Sequence, residues 1–210
     1  NETLDLGCAC LRAFLFKIGH RILEWGPAAQ GLLGVATRLL DPSMPENRVI
    51  EVAPLVGDIV MKFTQQLGPT LDAVLQHVLR RLSVTKESSP TIMPLVNVFA
   101  IIAVDHAQWL IDFFVRTNER ALAFVMSKWI SHHIDLHKFG HYQVKLSVAA
   151  LSKILLLRDK RVEETEIEVI GETEEDDDDE EEEGVEGGES QKSQQQHQRP
   201  AAPITRIQLT

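Results

Sequence analysis

Apolar residues recur at helical spacing through nearly every segment of the chain before Arg158. Positions i, i+3, i+4, i+7 and i+8 share one face of an α-helix, so such a series predicts an amphipathic helix. The two clearest series are Leu71, Val74, Leu75, Val78, Leu79, Leu82 and Leu122, Val125, Met126, Trp129, Ile130. No comparable segment alternates apolar and polar residues with a period of two while being rich in Val, Ile, Thr and Tyr. The sequence therefore predicts an all-α body.

Helix-breaking residues divide this body into pairs of helices. Gly-Pro dipeptides at 26–27 and 68–69 separate the helices of the first two pairs, while Asp105 and Asn118 are candidate N-caps in the third and fourth. Gly140 marks the turn inside the fourth pair. The predicted helices are 3–24 with 28–40, 46–67 with 70–83, 91–103 with 106–116, and 118–131 with 141–157. The turns within pairs recur every 35 to 42 residues or so, roughly the period of HEAT and armadillo arrays.

The width of the apolar faces favours an α-solenoid of stacked HEAT-type helical hairpins. Apart from Asn97, the stretch Leu95 to Val104 is apolar on every side. A helix inside a stack needs such a surface because it contacts its hairpin partner and both neighbouring hairpins. Closure of the eight helices into a compact bundle is the alternative. The apolar stretch is about ten residues long, whereas a membrane span needs about 20, so no membrane contact is expected.

Charge divides the chain at the end of this helical body. Seventeen Asp and Glu residues and no Lys or Arg lie between Glu163 and Glu189. Residues up to Arg161 contain 18 Lys and Arg against 14 Asp and Glu, so the acidic tract accounts for the formal charge of −10. Like charges repel and little apolar surface is available for burial, so we expect the tract to be solvated and disordered.

Composition therefore predicts three parts. Residues 1–160 form an array of about four helical hairpins, and 161–203 form a disordered acidic loop with Gln-rich and Pro-rich stretches typical of linkers. Residues 204–210 contain Ile204, Ile207 and Leu209 and could start a further helix, which would make the acidic loop an insertion between repeats. As a flexible coil of about 40 residues, the loop would hold its ends roughly 35 Å apart.

The sequence contains no catalytic or cofactor-binding motif. It has no phosphate-binding loop of the GxxxxGK[ST] type, no GxSxG and no HExxH, so no enzyme activity, catalytic residue or cofactor is predicted. His133, His137 and His141 follow one another at the i+4 spacing of zinc ligands. The turn expected at Gly140 breaks their common face, so we predict an ordinary polar loop and no metal site.

Two other residue types receive structural interpretations. Cys8 and Cys10 lie two positions apart on a predicted helix and point to different sides, which predicts reduced thiols in an intracellular protein. Trp25, Trp109 and Trp129 each lie within an apolar helical pattern and are predicted to be core residues.

The unbroken acidic run is the candidate binding site. Its charge would attract a basic partner at long range, and salt would weaken that attraction. Histones and ribosomal proteins are suitable basic cargoes, whereas direct binding of nucleic acid is not expected between two polyanions. The other interpretation is a solubilising linker that binds nothing in particular. The predicted cargo-binding residues are Glu174, Glu175, Asp176, Asp177, Asp178, Asp179, Glu180, Glu181, Glu182 and Glu183.

Several stretches, in order along the chain, carry a family resemblance. They are Glu2–Ala13, Gly34–Pro42, Phe124–Trp129, Lys145–Leu155, and 159–161 followed by 169–172. Together they resemble the C-terminal region of importin-nine-like nuclear transport receptors, which belong to the karyopherin-beta or importin-beta superfamily. The resemblance covers most of residues 1–172 and consists mainly of helix-packing residues.

The resemblance implies a HEAT-repeat superhelix that carries basic cargo, chiefly core histones, from the cytoplasm to the nucleus. It also implies regulation by the GTPase Ran, with nucleoporins as further candidate partners. The principal Ran-binding surface of the superfamily is in N-terminal repeats, so no residue here is assigned to Ran. An acidic histone chaperone or a helical-repeat scaffold without transport activity is the alternative function.

Overall fold

The computed structural model of the chain describes residues 2–67, 69–170 and 204–208. The all-α prediction is confirmed for the body, in which eight α-helices pack on one another. Two short strands follow the helices. The elements are α1 (Glu2–Glu24), α2 (Gly26–Leu39), α3 (Glu46–Leu67), α4 (Pro69–Val84), α5 (Ile92–Thr117), α6 (Ala121–Ser131), a 3-10 helix (His133–Phe139), α7 (His141–Leu156), α8 (Lys160–Glu163), β1 (Glu166–Ile170) and β2 (Ile204–Gln208).

Every second helix along the chain packs side by side with the one before it in that series. α1 contacts α3, α3 contacts α5 and α5 contacts α7, so these four helices form one layer in chain order. α2 contacts α4 on the other side, and α1–α2, α3–α4 and α5–α6 pack as pairs. Stacked helical hairpins produce this order of neighbours.

The third predicted pair of helices is confirmed, because α5 consists of two helical stretches that meet at a kink at His106, with φ −135° and ψ 44°. Asp105 lies directly before this break, where the turn was predicted. Residues 15 apart in a straight helix would lie about 22 Å apart along its axis, whereas the rings of Phe99 and Phe114 are in contact, so the chain turns back at the kink. α6 and α7 both pack against α5.

α5 is also the centre of the hydrophobic core. The rings of Phe99 and Phe114, on opposite sides of the kink, meet edge to face with their centroids 5.1 Å apart. Among the described residues, α5 is the one helix long and apolar enough to cross a membrane, although 56% of its 18-residue apolar window is buried inside the protein. Packing against α3, α4, α6 and α7 accounts for this apolar surface without a membrane.

The start of α7 is confirmed, and the start of α6 is shifted. Gly140 has a φ of 96°, a conformation that favours glycine, and α7 begins at the next residue. The predicted N-cap Asn118 lies before α6, where its side chain accepts a hydrogen bond from the backbone N–H of Arg120 at 2.8 Å. Arg120 itself occupies the N-cap position.

The predicted helix start at 204–210 is wrong, because Ile204–Gln208 is a strand paired antiparallel with Glu166–Ile170. The prediction rested only on the apolar residues Ile204, Ile207 and Leu209. β-Branched residues dominate both segments, however, and such residues favour strands. Val162 and Ile167 are buried in the core, so the packed body continues past the predicted boundary at residue 160.

The predictions for tryptophan and cysteine are only partly confirmed. Trp129 is fully buried and Trp109 is half-buried, but Trp25 is 66% exposed because it lies in the turn between α1 and α2. Both thiols are free, Cys8 buried and Cys10 exposed, so they do point to different sides of α1.

Candidate functional site

The predicted cargo-binding residues, Glu174 to Glu183, lie outside the described residues. The structure describes both flanks of their segment, since β1 ends at Ile170 and β2 begins at Ile204. These two residues are partners in the antiparallel ladder. Partners in such a ladder have Cα atoms about 4.5–5.5 Å apart, so residues 171–203 start and finish at one place. This corrects the separation of roughly 35 Å expected for a free coil.

β1 is attached to the body by burial. Ile167 is 1% exposed and belongs to the same hydrophobic core as the helices, and β1 packs against α6. Glu166 beside it is exposed, as the alternation of side chains along a strand requires. Full burial of an Ile side chain is worth about 1.5–3 kcal/mol, so Ile167 is a main anchor of the ladder.

Arg161 ties the chain just before β1 to α5. Its guanidinium donates from Nε and Nη2 to the two carboxylate oxygens of Asp159, at 2.9 and 2.6 Å. Nη2 also donates to Asp112 of α5 at 2.8 Å. Gln108, one turn before Asp112, donates to Asp159 at 3.0 Å. These four side chains, the Arg161 cluster, fix the path of the chain from α7 to β1.

The ionisation of the Arg161 cluster follows from this geometry. Hydrogen bonds from Arg161 are the main reason that the pKa of Asp159 lies well below its usual range, with Gln108 adding to the effect and burial opposing it. Hydrogen bonds to Asp159 and then Asp112 raise the pKa of Arg161. Both partners are therefore charged throughout the physiological range, and their attraction holds the cluster together.

A second polar cluster joins the α4–α5 loop to the end of α6. Lys128, which is 9% exposed, pairs with Glu87. The His132 ring lies between two carboxylates, with Nε2 3.3 Å from Glu87 and Nδ1 3.5 Å from Asp135. Burial would raise the pKa of Glu87, but hydrogen bonds from Lys128 and His132 outweigh burial and lower it. The cluster therefore fixes the α4–α5 loop against the end of α6.

The three histidines considered as zinc ligands do not share a helix face. His133 lies in the 3-10 helix, while His141 begins α7 after the turn at Gly140. His133 Nδ1 is 3.1 Å from Ser147 Oγ, and this hydroxyl accepts a hydrogen bond from Trp129 Nε1 at 2.7 Å. Across the described residues, no three His, Cys, Asp or Glu side chains are grouped to hold a metal ion.

A groove of about 200 Å³ crosses the layer formed by α1, α3, α5 and α7. Arg12, Asp58, Asn97 and Tyr142 bring one lining residue from each of these helices. Asn97 is 8% exposed, and its Oδ1 has no hydrogen-bond partner. Sequence reasoning did not predict the groove. The only available signal was a lone amide within the apolar stretch Leu95 to Val104.

The two outer helices of this layer expose apolar side chains. Phe14 and Leu6 on α1 are 57% and 67% exposed, and Leu155 and Leu156 on α7 are 49% and 75% exposed. Single exposed apolar residues are common on protein surfaces, whereas apolar residues that share a helix face indicate a contact surface. Leu6, Cys10, Ala13 and Phe14 follow the i, i+4, i+7, i+8 pattern, and all are exposed.

Comparison with known proteins gives a distant, partial similarity. No family model matches the chain. The chain is 29% identical over 166 residues to importin subunit beta-5 of Saccharomyces cerevisiae, a stretch that covers 78% of this chain and 16% of that protein. The chain thus spans less than a fifth of the length of this curated relative. The similarity is to a member of the importin-beta superfamily.

Proposed function

We propose that this chain is the C-terminal part of an importin-nine-like nuclear import receptor of the importin-beta superfamily, a HEAT-type stack with an acidic cargo-binding segment. The similarity to importin subunit beta-5 carries this proposal, because 166 aligned residues are enough to cover nearly the whole helical stack. Transport receptors of this superfamily are not enzymes, so the proposed role is binding and release. The receptor would carry its cargo between cytoplasm and nucleus.

The exposed apolar faces at the two ends of the layer support a place in a longer array. In a solenoid each hairpin contacts its two neighbours, and end repeats that face water have polar outer surfaces. Here α1 exposes Leu6 and Phe14, and α7 exposes Leu155 and Leu156. Further hairpins stacked on both helices would bury these side chains. We propose that the layer α1–α3–α5–α7 continues in this way.

The anchoring of β1 and β2 supports a defined position for the acidic residues. A fully extended chain spans at most about 3.3–3.6 Å per residue. Glu174 is four residues beyond Ile170 and Glu183 is thirteen. Glu174 can therefore lie at most about 14 Å, and Glu183 at most about 47 Å, from the end of β1. A basic cargo held by these carboxylates would lie within that reach of the end of β1.

The proposed mechanism is reversible capture of a polycation by ten consecutive carboxylates. Long-range attraction would raise the association rate, and it would weaken as the Debye length falls from about 10 Å at 0.1 M salt to about 3 Å at 1 M. Core histones and ribosomal proteins have the required charge. Ran-GTP would lower the affinity for cargo, and cargo would lower the affinity for Ran-GTP by the same factor.

The cargo half of the proposal is tested by neutralising the acidic run without changing its length. We expect replacement of Glu174 to Glu183 by Gln and Asn to weaken binding of a core histone dimer and to flatten the dependence on salt, measured by calorimetry or fluorescence anisotropy. A control variant neutralises four exposed carboxylates of the body, Asp5, Glu24, Glu51 and Glu119. Equal affinity of the acidic-run variant and the unchanged chain would reduce the run to a linker.

The transport half requires a receptor that includes repeats able to bind Ran. This chain can replace the 166 matched residues of importin subunit beta-5, and histone binding by the chimaera is then measured with and without Ran-GTP. Altered affinity on adding Ran-GTP supports the import receptor. Tight histone binding that ignores Ran-GTP favours the alternative, an acidic histone chaperone or helical scaffold.

A further inference from the structure

A surface patch on α1 and α3 has no role in the proposed cargo mechanism. It consists of four exposed residues, Phe16 and Lys17 of α1 with Met61 and Lys62 of α3, and we refer to it as the aromatic–lysine patch. Phe16 is 73% exposed and Met61 is 49% exposed. Arg12, one turn before Phe16, lines the groove together with Met61, so both apolar side chains belong to one surface. Exposed apolar residues that share a surface indicate a contact site, and aromatic residues and Met are enriched in such sites.

Two ammonium groups lie against a single aromatic ring in this patch. Nζ of Lys17 and Nζ of Lys62 are 5.6 and 5.7 Å from the centre of the Phe16 ring, which are distances of cation–π contacts. Neither lysine forms an ion pair with a residue that the structure describes. By contrast, Asp58 neutralises Arg12 one turn earlier on the same two helices. The patch therefore holds two positive charges that repel each other, and a bound anion would offset that repulsion.

The patch suits a partner that is both acidic and apolar. Carboxylates complement the two ammonium groups, and an apolar side chain covers the exposed surfaces of Phe16 and Met61. The chain's own acidic run, Glu174 to Glu183, supplies charge but contains no apolar residue. A nucleic acid requires a series of cations along its backbone, whereas this patch offers two, with Asp58 one turn before Lys62. A short acidic peptide with one apolar residue matches both features of the patch.

We propose that the aromatic–lysine patch binds a short acidic segment of a partner protein, in which carboxylates flank one apolar residue. The apolar side chain lies on Phe16 and Met61. The flanking carboxylates pair with Lys17 and Lys62, so the binding weakens as salt is added. The patch lies on α1 and α3, whereas the acidic segment leaves from β1, which packs on α6. The two sites select partners of opposite charge, and binding at the patch requires neither the acidic run nor Ran.

The probe for the test is the peptide acetyl-Glu-Glu-Leu-Glu-Glu-amide, titrated into the isotopically labelled 210-residue chain and followed by NMR. We expect saturable shifts of the Met61 methyl group and the Phe16 ring, with a lower affinity at higher salt. Phe16→Ala removes the apolar contact and should weaken binding about fivefold. Lys62→Gln should weaken it about two- to fivefold, the usual range for one exposed ion pair. Both positions are exposed, so both variants are expected to fold.

Matched controls separate binding at the patch from other effects. Phe14→Ala makes the same change two residues earlier on α1, at a side chain that is 57% exposed, and should leave the affinity unchanged. Lys153→Gln removes an exposed charge from α7 and should have no effect at about 0.15 M salt, where distant charges are screened. Acetyl-Gln-Gln-Leu-Gln-Gln-amide and acetyl-Glu-Glu-Ala-Glu-Glu-amide each lack one feature of the probe and should bind more weakly. Deletion of residues 171–203 removes the proposed cargo site and leaves the patch intact, so the two proposals fail separately.

Several results would overturn the proposal. Absence of saturable shifts would show that the patch binds no acidic peptide, and equal affinity for the uncharged peptide would show that the lysines do not select the partner. Shifts that appear only after deletion of residues 171–203 would assign the patch to the chain's own acidic segment. Tighter binding of oligothymidylate at Phe16 and Met61 would assign it to nucleic acid. Shifts that depend on protein concentration without peptide would assign it to a second copy of the chain.

Discussion

Ile170 and Ile204 pair across an antiparallel ladder, although residues 171–203 lie between them in the sequence. The acidic run is therefore attached to the body at both ends of its segment. Pairing two strands that are separated by residues 171–203 costs chain entropy that grows slowly with the length of the connection, so the ladder and its contacts with α6 must offset that cost.

The first prediction concerns the anchor of this ladder. Ile167→Ala removes buried apolar atoms beneath β1 and should lower the free energy that holds β1 against the body by about 2–5 kcal/mol. Because a two-stranded ladder is only marginally stable by itself, we expect the amides of β1 to lose protection. Hydrogen exchange of residues 166–170, followed by mass spectrometry, measures this. Glu166→Ala changes the exposed neighbouring residue and should leave the protection unaltered; equal exchange in both variants would contradict the anchoring role.

The second prediction follows from the depressed pKa of Asp159 in the Arg161 cluster. A carboxylate with a lower pKa in the folded state stabilises fully above its unfolded value of about 3.9 and loses that stabilisation as the pH falls below it. Asp159→Asn should therefore lower the free energy of unfolding by about 1.5–3 kcal/mol at pH 7, the value of hydrogen bonds to a charged group.

The difference in the free energy of unfolding between Asp159→Asn and the unchanged chain should become smaller as the pH falls from about 4 toward 2. Urea unfolding at a series of pH values measures it. The pKa values of Asp41, Glu46, Glu87 and Asp135 are lowered too, so both proteins lose stability in acid and only their difference is informative. Asp105→Asn, at an exposed residue of α5, is the matched control. A difference that does not change with pH would contradict this role for Asp159.

Most of the helical body could be predicted from the sequence because apolar periodicity records which faces are buried. The helix over 46–67 and the start at His141 agree with that pattern. The break predicted at Asp105 agrees as well, since the two helical stretches of α5 meet at a kink at His106. A polar residue can also lie on the exposed side of a continuous helix, and the contact of Phe99 with Phe114 across the kink decides between these outcomes.

The third prediction concerns Arg81, which is 2% exposed and lies on α4. Its Nη1 donates to the carbonyl oxygens of Asp41, Pro42 and Met44, at 3.0, 3.1 and 2.7 Å. Arg81→Met fills similar space but leaves these acceptors of the α2–α3 turn unpaired. We expect the free energy of unfolding to fall by about 3 kcal/mol, which lowers Tm by roughly 6–12 °C in a chain of this size.

Arg80→Met is a matched control for Arg81→Met, because it makes the same change one residue earlier on an exposed side chain. Arg80→Met should change the free energy of unfolding by no more than about 0.5 kcal/mol. Scanning calorimetry of both variants decides the question, and equal Tm values would show that the buried guanidinium does not stabilise the turn.

The fourth prediction concerns the close approach of α3 and α5 beneath the groove. A Cβ added to Gly57 would lie 3.0 Å from Cδ1 of Ile101, which is closer than an ordinary van der Waals contact. Ala at this position therefore gains helix propensity worth about 1 kcal/mol but loses part of that gain to the steric contact. Ile101→Val removes the methyl group that Ala would meet. We expect Gly57→Ala to be more favourable by about 0.5–1 kcal/mol in the Ile101→Val background. A double-mutant cycle in urea measures this coupling, and a value of zero would place the two helices further apart.

The candidate sites were less predictable than the fold because they depend on contacts between distant segments. The Arg161 cluster joins residues 51 and 49 positions apart in sequence, and no local pattern signals such pairs. The strand at 204–208 could not be identified alone, since a strand needs a partner and its partner precedes the acidic segment. Asn97 was visible as an exception in an apolar stretch, yet its unpaired oxygen follows only from the packing of four helices.

The last prediction concerns Arg158, which follows α7 with a φ of 51°. This left-handed conformation is common just after a helix, but it costs a residue with a Cβ roughly 1 kcal/mol or more relative to glycine. Arg158→Gly relieves that strain, although glycine also gains freedom in the unfolded chain. We expect a net gain of about 0.5–1 kcal/mol in the free energy of unfolding, measured in urea. Arg158→Ala removes the side chain and keeps the strain, so it should bring no gain. A gain of equal size from Ala would show that the Arg158 side chain, and not its backbone conformation, is the source of the strain.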